Sequence, residues 1–120
     1  MADLVEPNRL VSDMPNLLNK NDLTQYTFVG APRFYNEGDA YGWHFISFPR
    51  GLAKEVRDNH KLQEEGWGRM KAIARIGGSE WSTAIWFDTK NDTYLLPVKA
   101  EIRRKEGVVI GQDIDVAVWV

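Results

Sequence analysis

Cysteine is missing from the whole chain of 120 residues, which excludes disulfides, thiol nucleophiles, iron–sulfur clusters and cysteine-based zinc sites. Histidine is nearly missing too. His44 and His60 are the only two, too few for a histidine-rich metal shell and a thin supply for a catalytic triad. The first residues, Met1-Ala2-Asp3-Leu4-Val5-Glu6-Pro7, lack a basic stretch followed by an apolar run, so they do not read as a secretory signal. No segment approaches the roughly 18 consecutive apolar residues of a membrane helix. These absences point to a soluble protein of a reducing, cytoplasmic compartment that does not enter a membrane. A basic excess is also wanting: 15 Lys and Arg stand against 17 Asp and Glu, for a net charge of −2. Residues 1–66 hold 7 basic and 10 acidic side chains, and residues 67–120 hold 8 and 7, so neither half forms a charged tail. A domain built to coat nucleic acid usually needs more cations than this.

What is present is size and aromatic mass. A chain of this length fits one domain of about 100–150 residues and buries roughly two-thirds of its unfolded surface without a staple. Five Trp, five Phe and four Tyr belong first to a core. Residues 1–23 contain Pro7, Pro15 and four Asn, with Leu10, Val11, Met14, Leu17 and Leu18 at partly helical spacing. They read as an N-terminal extension, a short docked helix or a frayed tail.

From Thr24 the chain reads as strands of one domain, 24–120. Tyr26, Phe28 and Gly30 alternate with Thr27 and Val29 up to Pro32. A turn at Asn36-Glu37-Gly38-Asp39 leads to Tyr41–Phe48, apolar on both faces and therefore expected to be central or inside a closed barrel. Leu52, Ala53 and Val56 mark one face of a short helix over about 51–59. Met70, Ala72, Ala74 and Ile76 then face away from Arg69, Lys71 and Arg75. Gly77-Gly78 supplies a two-residue hairpin turn. The returning strand puts Trp81, Thr83, Ile85 and Phe87 on one face and Ser82, Ala84 and Trp86 on the other. Asp88–Asp92 is a second turn before Thr93–Val98, and Pro97 marks a strand exit or edge. Val98 and Ile102 share a face of a second short helix, with Arg103-Arg104-Lys105 in its last turn and Gly107 behind it. Ile114, Val116, Val118 and Val120 alternate with Asp113, Asp115, Ala117 and Trp119 in a last half-buried strand. The count is about six strands and two short helices.

Certain stretches carry a resemblance: Trp43-His44-Phe45-Ile46-Ser47-Phe48-Pro49, Gly66-Trp67-Gly68, Ile76-Gly77-Gly78-Ser79-Glu80-Trp81-Ser82-Thr83, and Tyr94-Leu95-Leu96-Pro97-Val98-Lys99 through Arg103 and Gly107 to Gly111. In this order and spacing, residues 24–120 resemble the bacterial family of unknown function DUF1905. The resemblance implies a mainly β fold, a small double-split antiparallel β-barrel, with no settled activity. Its barrel is similar to that of AbrB-type DNA-binding regulators, and some relatives are joined to a domain similar to OmpD-associated, bacteriocin-protection proteins. Two positions depart from the family pattern. Gly111-Gln112 stands where the family has Gly-Asp, and Thr83-Ala84 where it has Thr-Ser.

No stretch spells out chemistry. Asp113 and Asp115 share a strand face about 7 Å apart, within range for a carboxylate pair, but no nucleophile or base is spaced beside them, and a solvated outer face accounts for them. Ser47, Ser79 and Ser82 lie in no nucleophile elbow, and the paired glycines open no phosphate loop. His44 reads as a hydrogen-bonded structural residue. No metal and no cofactor are expected. Binding candidates remain. Arg69, Lys71 and Arg75 stripe one strand, and Arg103 and Arg104 cluster on a helix; together they suit phosphates in a nucleic-acid-binding regulator. Trp86 and Trp119, facing away from the core stripe, suit a subunit interface, a cleft or a covered patch. A barrel of six strands has less interior than the roughly eight-stranded barrels that hold a ligand. The sequence therefore predicts a non-enzymatic binding or protein-interaction module that self-associates or holds a protein partner. A nucleic-acid regulator and a small-ligand carrier or enzyme are the alternatives.

Overall fold

The computed structural model describes residues 19–35 and 43–120. The helical spacing at Leu10–Leu18 and the turn expected at 36–39 lie outside the described residues. The strands are β1 (Gln25–Gly30), β2 (Arg33–Tyr35), β3 (Trp43–Ser47), β4 (Arg69–Ile76), β5 (Ser79–Asp88), β6 (Thr93–Pro97) and β7 (Ile114–Trp119). Helix α1 (Arg50–His60) follows β3, and helix α2 (Ala100–Glu106) follows β6. All strand pairs are antiparallel, in the order β1-β7-β4-β5-β6-β3-β2. The fold is thus mainly β, as expected, with seven strands among the described residues where the sequence suggested about six. The additional strand is Arg33–Tyr35, just past Pro32. Pro32 ends one ladder because it has no N–H to give, but the chain resumes pairing one residue later against a different strand.

That resumption shapes the fold. The two edge strands of the ladder, β1 and β2, are consecutive in the chain and joined only by Ala31 and Pro32. The sheet must therefore curl until its edges meet. They do meet: Phe28 and Phe48 stack across the gap at 4.6 Å between ring centres. A side chain on Gly30 would come within 2.8 Å of Ile46 Cγ2 and 3.5 Å of the Ser47 carbonyl, so only glycine lets the edges approach.

Inside the half-barrel lies one cluster built from alternate residues of every long strand: Tyr26 and Phe28, Ile46, Met70, Ala72 and Ala74, Trp81 and Ile85, Tyr94 and Leu96, Val116 and Val118. This is the period-2 pattern with its apolar set turned inward. Ala53 and Val56 of α1 and Ile102 of α2 join it, each helix contributing its apolar stripe. Helix α2 stops at Gly107, whose left-handed φ of 63° lets the Val108 N–H return to the Arg103 carbonyl. No helix among the described residues is long and apolar enough to cross a membrane.

Candidate binding face

The outer face of the sheet carries the remaining aromatics, and the structure treats its two ends differently. At one end Ile73, Ala117 and Trp119 form a second apolar cluster, closed over by Leu23. The 3₁₀ turn Lys20–Asp22 brings the Lys20 ammonium to 4.4 Å from the Trp119 ring, and the Arg75 guanidinium flanks it at 5.1 Å. Trp119 is accordingly buried, and β7, expected to be half-buried, is buried on both faces from Val116 onward. Of the fates open to Trp119, the fold selects cover.

At the other end the aromatics stay open. The register sets Trp86 opposite Leu95, Leu95 opposite Ser47, and Pro97 opposite Phe45, so all point outward together with Trp43. They line a groove of about 310 Å³ whose walls are Trp43, Phe45, Trp86, Leu95 and Pro97. Trp43 is 57% exposed and Trp86 39%. The two-faced apolar character of the Tyr41–Phe48 run had pointed to a strand covered on both sides. Instead β3 sits next to the sheet edge and its outer face remains uncovered. Trp43 is the site residue that sequence reasoning passed over, and the signal for it was that same two-faced pattern.

Trp67 adds a third exposed aromatic near this end. It is 92% exposed and holds a left-handed φ of 68°, which costs an L-residue with a bulky side chain about 1–2 kcal/mol. The neighbouring Gly68 lies against Phe87, and Arg69 stands 5.8 Å from the Trp86 ring. Because Trp67 buries nothing in return, Trp67→Gly is expected to raise stability by about 1 kcal/mol, measured as a shift in the urea midpoint at constant slope.

A polar recess adjoins the groove across Trp43 and Pro97. Its volume is about 320 Å³, and Trp43, His44, Trp81, Ser82, Thr83, Pro97, Val98, Lys99 and Arg103 line it. Each of these lies in a stretch that carried the family resemblance, so segments distant in sequence converge on one recess. Its geometry is fixed through the Val98 backbone. The Val98 N–H donates to the His44 carbonyl at 2.9 Å, and its carbonyl accepts from Arg103 Nε at 3.1 Å. Arg103 Nη1 then reaches His44 Nε2 at 3.2 Å. Since the guanidinium can only donate, Nε2 accepts and the imidazole is neutral. Burial first, and the Arg103 charge second, hold the His44 pKa below its ordinary value.

The expected basic stripe is divided. Arg69 and Lys71 share Glu65, at 2.7 and 3.9 Å, Arg75 lies against Trp119, and Arg103 turns into the recess. Arg104 is exposed on α2. His60, the other histidine, meets the Tyr26 hydroxyl at 2.9 Å and Gln63 at 2.6 Å. No group of three metal-binding side chains occurs among the described residues. Asp113 and Asp115 are exposed, as the solvated reading held.

The fold and this face define a small curled-sheet domain with an open aromatic groove beside a cationic recess. The chain matches, over residues 34–118, the family described as "domain of unknown function (DUF1905)" and belongs to it. No curated protein matches the chain.

Proposed function

We propose that the protein is a non-enzymatic interaction module that docks a segment of a partner protein on the groove between Trp43 and Trp86. The observation carrying this reading is the exposure of those two tryptophans on either side of one apolar channel. Exposed aromatics around a preformed depression are the usual anchors of an interface. The lining offers apolar area rather than acid, base or nucleophile, which favours holding over turnover. Cations flank it: Arg33 lies 5.8 Å from the Phe45 ring, Arg69 stands beside Trp86, and Lys99 and Arg103 lie at the recess end. The partner segment therefore carries apolar side chains next to carboxylates. We assign the module to the bacterial cytoplasm, in keeping with a chain free of cysteine.

Phage-displayed random peptides, panned on the protein and counter-selected on Trp86→Ala, test this reading. Enrichment of apolar, acidic sequences that bind the variant at least tenfold more weakly supports it. A selection that yields nothing above background, or binds both proteins equally, overturns it. Duplex DNA supplies the competing outcome. Binding that falls steeply with salt and disappears in Arg103→Ala/Arg104→Ala would replace docking by nucleic-acid recognition. A dimer in sedimentation that Trp86→Ala dissociates would replace the partner by a second copy.

A further inference from the structure

The polar recess has a chemistry of its own, separate from the groove. The structure presents there a guanidinium with no carboxylate partner among the described residues. Arg103 spends Nε on a carbonyl and one Nη1 donor on a neutral imidazole, neither of which cancels its charge. Lys99, exposed at the rim, has no ion pair among the described residues either. Carboxylates are not scarce elsewhere: Lys20, Lys54, Arg57, Arg69 and Lys71 all find one. The recess is lined by no acid, and Thr83, on the same face of β5 as Trp81 and Ile85, offers it a hydroxyl. Thr83 uses it only for a long 3.4 Å contact to the next carbonyl.

We infer that this recess binds an oxyanion, either a carboxylate or a phosphate monoester, between the Arg103 guanidinium, the Lys99 ammonium and the Thr83 hydroxyl. The physical reason is electrostatic preorganisation. The hydrogen-bonded ring through Val98 and His44 holds the guanidinium in place before any ligand arrives, so little ordering cost is left to the ligand. An unpaired cation beside a hydroxyl donor in a partly desolvated hollow favours an anion with several acceptor oxygens. The neutral His44 completes the arrangement because it accepts from Arg103 and leaves the remaining guanidinium donors directed elsewhere.

The test is a two-dimensional NMR titration of the full chain with acetate, methyl phosphate and, as a control, the uncharged acetamide. The expected result is saturable shifts at the Arg103 Nε–H and the Ser82 and Thr83 amides with at least one anion and none with acetamide. The stronger of acetate and methyl phosphate identifies the source of the oxyanion. His44 should titrate at higher pH when the anion is bound, since an added negative charge favours its protonated form. Lys99→Gln, at an exposed position that leaves the fold intact, and Arg103→Lys, which keeps the charge but loses the fork, should each weaken binding by about tenfold. Shifts that never saturate overturn the inference, as do shifts that both variants leave unchanged. These anions are too small to need the groove, so failure of the peptide selection leaves this titration intact, and the converse holds as well.

Discussion

Tyr94→Ala is expected to lower the unfolding free energy by about 3–5 kcal/mol, read from urea denaturation at neutral pH. Tyr94, on β6, is fully buried in the core cluster. Its ring meets Phe87 edge-on at 5.1 Å and Phe48 at 5.9 Å. Its hydroxyl donates to Glu64 Oε2 at 2.5 Å. Truncation removes that packing and leaves a cavity that strands on every side hold open. The carboxylate it leaves behind is only 11% exposed, with Arg57 at 3.7 Å as its remaining partner. Tyr94→Phe isolates the polar part and should cost about 1–3 kcal/mol.

The same residue sets a pH limit. Burial, and then the hydrogen bond to Glu64, push the Tyr94 pKa above its ordinary value of 10.0. The folded state then keeps a proton that the unfolded chain releases, so stability falls as pH rises beyond that ordinary value. Below it this contribution is fully present. The expected alkaline decline should be shallower in Tyr94→Phe, and an unchanged slope would show that other groups govern it.

Gly77→Val should cost about 2–4 kcal/mol. Gly77 opens the β4–β5 hairpin with a φ of +57°, and Gly78 does not share the positive φ, the pattern of a type II′ turn. A side chain in that conformation costs about 1–2 kcal/mol by itself. Here it would also meet the Glu106 carboxylate at the end of α2. That carboxylate accepts from the buried Ser79 hydroxyl at 2.5 Å and from the Gly78 N–H at 3.4 Å. Displacing it orphans a buried donor, worth about 1–3 kcal/mol. Gly78→Ala is the control: a methyl group there meets nothing within 4 Å, so the midpoint should barely move. Glu106→Ala should lose the carboxylate's hydrogen bonds to Ser79 and Gly78 without the backbone strain.

Much of this fold was legible because strand patterning is local. Met70–Ile76 and Trp81–Phe87 alternate cleanly, and Gly77-Gly78 between them admits one connection, so the hairpin, its faces and its register follow from the chain. The α2 stop at Gly107 and the exit of β6 at Pro97 were legible for the same reason. Strand β2 was not. Nothing in Arg33-Phe34-Tyr35 announces pairing, because its partner is the distant strand β3 and the pairing exists only once the sheet has curled.

The binding face divides along the same line. Trp86 could be assigned to the outer side of β5 from alternation, and Arg103 to a helix from spacing. Whether a tryptophan is open or roofed depends on what folds over it. Trp119 was covered by Leu23 and Lys20, while Trp43 and Trp86 were left exposed. The union of His44, Ser82, Lys99 and Arg103 in one recess depends on β3, β5 and the β6–α2 junction meeting at one end of the sheet.

By itself the sequence determined the class of fold, the inward face of each long strand and the absence of thiol chemistry. Those properties rest on side-chain period and composition, which neighbours along the chain supply. Only the tertiary structure decided which outward aromatics meet water and which cation goes without a carboxylate. Exposure and pairing are relations between segments that the chain keeps far apart until the two edges of the sheet are brought together at Ala31 and Pro32.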